Sequence, residues 1–153
     1  MTKLIRRGKS KVGVPPGSLI YVGDKRAPMR ITMFDYNADR YVEKVITNLE
    51  ECIPSKNQNS ITWINVDGLA DTSFIAKLDQ SFGVHPLVLE DIVNTDQRPK
   101  MEDYGDYIYI VLKMLYTEKH TQDMISEQLS LVIGPNYVLS FQEKEGDYFD
   151  NIR

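Results

Sequence analysis

His85-Pro86-Leu87-Val88-Leu89-Glu90-Asp91-Ile92, followed through Asn94-Thr95-Asp96-Gln97-Arg98-Pro99-Lys100 by Tyr107-Ile108-Tyr109-Ile110-Val111-Leu112-Lys113-Met114, organises this chain. It reads as a short capped helix, a polar turn and a strand. Pro86 suits the first helical position, where an absent N–H is no loss. A neutral His85 ring just before it can cap free amides. Leu89, Ile92 and Val93 make the core face, and the helix is expected to end near Asn94. From Tyr107 to Tyr116 the residues are almost continuously apolar, which predicts a central strand buried on both faces.

On the N-terminal side, a helix is expected near 72–82. Asp71 or Thr72 can accept from a first-turn amide, and Phe74, Ile75, Leu78 and Phe82 share one helical face. Gly83 is placed just past its end. Ile61 to Val66 (ITWINV) reads as a strand closed by Asp67-Gly68, with Trp63 in the core. Earlier strands are expected at Leu19–Val22, Arg30–Tyr36 and Tyr41–Thr47, with one helical turn at Leu49–Ile53 and a loop over 55–60. After the central run, 117–126 is a polar connection. Glu127–Ile133 and Tyr137–Gln142 flank Gly134-Pro135-Asn136, a hairpin signal. Gly146-Asp147 opens a further helix. The order of elements predicts an α+β domain: a mixed β-sheet of about six to seven strands packed with short helices.

The bulk numbers limit the function. At 153 residues, the chain is about one domain long, enough for a sizeable core. With 42% apolar and 26% charged residues and a net charge of −4, it is not composed as a nucleic-acid binder. Charge is unevenly spread: residues 1–30 hold eight basic side chains against Asp24, so the rest of the chain is strongly acidic. Residues 1–13 are read as a flexible basic arm, and 14–153 as the folded domain. Such an arm suits an anionic partner, or is simply a solvated tail, while the acidic body suits cations. Cys52 is the single cysteine, so no intrachain disulfide forms and a reducing compartment is expected. No apolar run reaches the roughly 20 residues that a membrane-spanning helix needs.

The chemistry concentrates in Glu90 and Asp91. Adjacent helical residues project about 100° apart, so this pair does not readily chelate one ion from the helix alone. It can serve two ions, or one ion completed by another element or subunit. Mg²⁺ suits this, since it keeps several waters and takes one or two carboxylates. Equally, both side chains can solvate the outer face of the helix. His120 is isolated, so a zinc site is weakly supported. Asp96, Arg98 and Lys100 read as a turn with local ion pairing, with metal ligation by Asp96 the lesser reading. Asp67 reads as a turn residue rather than a strand-end catalytic carboxylate. The chain has no Gly-x-Ser-x-Gly elbow and no P-loop, so no enzyme is expected.

The His85–Lys100 run closely resembles the signature of the CorA family of Mg²⁺/Co²⁺ transport proteins. Pro15-Pro16-Gly17, Thr62-Trp63-Ile64-Asn65 and Phe141-Gln142-Glu143-Lys144 resemble that family's N-terminal domain in the same order. The resemblance implies a single αβα-type cytoplasmic domain of a membrane transporter, joined to the membrane through a C-terminal region that this sequence lacks. It implies a homopentamer in the intact protein, with Mg²⁺ (or Co²⁺) as a regulatory ligand at inter-subunit carboxylate sites that include Glu90 and Asp91. No organic cofactor and no nucleic acid are implied. The competing readings are a stand-alone soluble α/β binding module, or the same domain in a zinc-transporting relative.

Overall fold

The computed structural model describes residues 13–23, 28–51, 59–117 and 123–144. Its frame is a seven-stranded sheet: β1 (Arg30–Tyr36), β2 (Tyr41–Ile46), β3 (Ile61–Asp67), β4 (Lys100–Asp103), β5 (Ile108–Thr117), β6 (Met124–Ile133) and β7 (Tyr137–Gln142). The spatial order is β2-β1-β3-β7-β6-β5-β4. Neighbours are antiparallel except β3 and β7, which run parallel. That one parallel pair requires a long crossover, and the helices α1 (Thr72–Ala76), α2 (Leu78–Phe82) and α3 (Pro86–Val93) lie within it. The mixed sheet, the short helices and the 127–142 hairpin agree with the sequence reading.

Strand alternation sorts the side chains into two faces. Ile31, Met33, Ile64, Val66, Tyr109, Val111, Val132, Leu139 and Phe141 form one core with Phe74, Ile75, Leu78, Phe82, Val88, Leu89, Ile92 and Val93 of the helices. On the opposite face the two central strands carry a polar row. Ser140 Oγ donates to Asn65 Oδ1 at 2.6 Å, Asn65 Nδ2 to Asp67 Oδ2 at 3.0 Å, and Gln142 Nε2 to Asp67 Oδ1 at 3.2 Å. These side chains are buried, and their mutual bonding is what makes that burial tolerable. Asp67 is therefore a strand residue satisfied inside the sheet rather than a turn residue.

Four further expectations need correction. Residues 107–116 do not form the central strand: β5 is next to the β4 edge, and β7 occupies the middle. Tyr109 and Val111 are fully buried under the helices, but Ile108 and Leu112 on the other face are 38% and 42% exposed. An apolar run on both faces signals two apolar faces, not a central position. Leu19–Val22 is not a strand. Leu19 and Tyr21 pack against the core, and the Val22 N–H donates to the Val93 carbonyl, a helix end, instead of to a sheet neighbour. The 72–82 helix is two helices meeting at Lys77. The Asp71 cap on Ser73 and the left-handed Gly83 terminus (φ 69°) are as expected. The fourth, Trp63, is only partly buried.

The indole of Trp63 lies 4.8 Å from the Phe34 ring, and its Nε1 donates to Ser140 Oγ at 2.8 Å. Because Trp63 is not fully enclosed, Trp63→Ala is expected to cost about 2–3 kcal/mol, below the range for a fully enclosed tryptophan. Urea unfolding measures it, and a loss above about 4 kcal/mol would show a ring more enclosed than this. The expected arm at 1–13 (but for Gly13), most of the 55–60 loop and the helix at 146–147 lie outside the described residues.

Candidate metal-ligand site on helix α3

Helix α3 is eight residues long, too short to persist alone. Its apolar side fixes it: Val88, Leu89, Ile92 and Val93 are essentially inaccessible. His85 Nδ1 accepts from the Leu87 N–H at 3.2 Å and so caps the first turn. The His85 N–H donates to Tyr107 Oη at 2.9 Å, tying the helix start to the β4–β5 turn. At the other end, Gln128 of β6 donates from Nε2 to the Asp91 carbonyl at 3.3 Å and accepts from the Gln97 N–H at 3.1 Å. Lys113 Nζ donates to the Thr95 carbonyl at 2.6 Å. Burial holds the Lys113 pKa below the ordinary lysine value, with Asp96 and Glu143 opposing that shift.

With the core face settled, Glu90 and Asp91 stand at the flanks of the helix, both half-buried. They diverge, as their 100° offset requires. Glu90 Oε2 accepts from the Gly17 N–H at 2.7 Å, across 73 residues of sequence. Gly17 adopts a left-handed backbone (φ 82°), which glycine reaches without strain. Glu90 thus pins the Pro15-Pro16-Gly17 segment onto α3. Asp91 faces β4: Oδ1 accepts from Gln97 Nε2 at 2.7 Å and Oδ2 from Lys100 Nζ at 2.7 Å.

Lys100 also reaches Glu102 Oε1 at 2.9 Å, and its ammonium lies 5.3 Å from the centroid of the Tyr109 ring. Burial works to lower the Lys100 pKa, but the two carboxylates prevail and raise it. The 96–100 segment is therefore not a self-contained ion-paired turn. Lys100 begins an edge strand and pairs with Asp91 on the helix, while Asp96 is exposed.

Carboxylate oxygens suit a hard cation. Among the described residues, however, no three His, Cys, Asp or Glu side chains converge on one point. Glu90 and Asp91 fit such an ion only as part of a shell, the rest of which must come from elsewhere. Sequence reading missed the roles of Gly17, Gln97 and Gln128 and gave Lys100 the wrong partner, because each acts through a partner supplied by the fold. Glu90→Ala is expected to free the Gly17 amide and speed its hydrogen exchange by roughly tenfold, the scale of one hydrogen bond to a charged acceptor. An unchanged exchange rate would mean that the loop holds itself on α3.

Residues 58–153 match the family model described as "CorA-like Mg2+ transporter protein". The chain belongs to that family. It is 42% identical over 148 residues to the cobalt/magnesium transport protein CorA of Thermotoga maritima, covering 97% of this chain and 42% of that protein. The chain thus spans less than half of that relative's length. The fold is shared with the full-length CmaX protein (TM-score 0.58, 16% identity, 78% of this chain and 36% of that one). It is also shared with the ZntB cytoplasmic domain of Vibrio parahaemolyticus (TM-score 0.54, 11% identity, 78% of this chain and 46% of that one). Among the described residues no helix is long and apolar enough to cross a membrane.

Proposed function

We propose that this chain is the cytoplasmic, cation-sensing part of a divalent-cation (Mg²⁺/Co²⁺) membrane transporter, and that Glu90 and Asp91 supply ligands to regulatory sites between subunits of a homopentamer. The observation that carries the reading is the match to a cobalt/magnesium transport protein across almost the whole chain. The geometry of α3 is compatible with it. Two hard-oxygen donors stand at the flanks of a helix whose other face is locked in the core, and among the described residues no further His, Cys, Asp or Glu completes their shell.

On this reading bound Mg²⁺ bridges acidic faces of neighbouring subunits. Loss of the ion leaves like charges opposed, so the assembly shifts toward an open state. The ion regulates by binding one state more tightly than the other. The test is the intact protein in detergent, with protease protection and ion flux followed as Mg²⁺ is titrated. Protection that rises with Mg²⁺ while flux falls is expected. Protection and flux that ignore Mg²⁺ would sink the proposal.

A further inference from the structure

We propose that the Lys100 ammonium is a built-in counter-ion on the Asp91 carboxylate, one that an incoming divalent cation must expel, so that Lys100 sets the ion concentration at which the site fills. This inference rests on the reading of Asp91 as a ligand. Lys100 Nζ lies 2.7 Å from Asp91 Oδ2 and 2.9 Å from Glu102 Oε1. It therefore occupies the place beside Asp91 Oδ2 that a bound cation would take. The placement is built. Lys100 is in register with Val111 of β5, on the sheet face that α3 covers, and its charge sits over the buried Tyr109 ring. Gln97 Nε2 holds the other Asp91 oxygen, so the carboxylate is already oriented.

The arrangement is also reversible. The Lys100 and Asp91 side chains keep 27% and 25% of their exposure, so water and ions reach the pair. Because β4 is the outermost strand, no neighbouring strand among the described residues blocks a flexible lysine stem from swinging outward. An ammonium carries one charge and a divalent cation two, and side by side on one carboxylate oxygen they repel each other. Mg²⁺ wins only above a threshold concentration. Below that threshold Lys100 stays on Asp91 and offsets only one of the flank's negative charges.

The test uses the intact protein with Mg²⁺ alone, reading both the midpoint of protease protection and the Mg²⁺-induced rise in melting temperature. Lys100→Gln is expected to lower the midpoint about two- to five-fold, the scale of a partly exposed ion pair. Lys100→Arg, which keeps the charge, should stay within about twofold. Glu102→Gln leaves the ammonium to Asp91 alone and should raise the midpoint. It decides the matter should Lys100→Gln fail to fold. Arg98→Gln removes an exposed charge nearby and serves as the control. A shift equal to that of Lys100→Gln would mean that only net charge matters, and would overturn the proposal. So would a Lys100→Gln midpoint that is unchanged or raised while Asp91→Asn still weakens protection. If Asp91→Asn leaves protection unaltered, the reading of Asp91 as a ligand falls first, and this inference with it.

Discussion

Ile92→Ala is expected to lower the stability of this domain by roughly 2–5 kcal/mol. Ile92 is completely buried, in one cluster with Tyr109, Val111 and Val132 of the sheet. Three carbons are lost and the void is walled by rigid strands, so the cavity penalty adds to the lost transfer energy. The helix has no independent stability to fall back on: an eight-residue segment in water is mostly unfolded. Against a total of roughly 5–15 kcal/mol, the variant stays folded at room temperature but melts about 5–15 °C lower for a chain of this size. Ile92→Val, which keeps the branched stem, should cost only about 0.5–1.5 kcal/mol. The pair separates a packing effect from a helix-propensity effect. A melting temperature for Ile92→Ala within a degree or two of the parent would mean that α3 does not rest on the sheet, and that Glu90 and Asp91 are not fixed in space by it.

What the sequence made legible was local. The cap at Asp71, the left-handed stop at Gly83, the proline start of α3 and the hairpin around 134–136 each depend on chemistry within a few residues, and each is present. Family resemblance and helical geometry together marked Glu90 and Asp91, and the divergence of the two side chains followed from helical pitch. The unread features were non-local. Strand order is set by which faces find a partner, so a run apolar on both sides was placed at the centre when it lies next to an edge. Leu19 and Tyr21 pack in extended conformation without joining the sheet, and apolar content alone does not separate the two cases. Lys-Met-Glu-Asp at 100–103 carries no strand signal beyond alternation, since pairing to β5 is what makes it β. Lys100 looked like a turn cation because its partner, Asp91, lies in a different element nine residues earlier. The Glu90–Gly17 bond spans 73 residues and is invisible to any window.

Asp91→Asn is expected to raise the Mg²⁺ midpoint for protection of the intact protein by at least about tenfold, the scale on which even outer-sphere partners alter metal affinity. A hard cation needs the negative charge as well as the oxygen, and Asn supplies only the oxygen. Two effects of the substitution must be separated, because Asp91 also carries structure. Asn can still accept through one oxygen, but its NH₂ then meets either Gln97 Nε2 or the Lys100 ammonium, donor against donor. Lys100 keeps Glu102 as a partner, so the metal-free domain should lose no more than about 1 kcal/mol, as for other partly exposed ion pairs. Melting in EDTA reads that structural cost directly, while the shift in melting temperature on adding Mg²⁺ reads the ligand role. Glu90→Gln should move the midpoint in the same direction but less, since a longer side chain is more readily replaced by water in the coordination shell. A normal Mg²⁺ response in both variants, with only the small EDTA cost for Asp91→Asn, would make the α3 carboxylates a structural clamp. Glu90 would then hold the 15–17 segment and Asp91 would hold β4, with the sensing residues elsewhere in the protein.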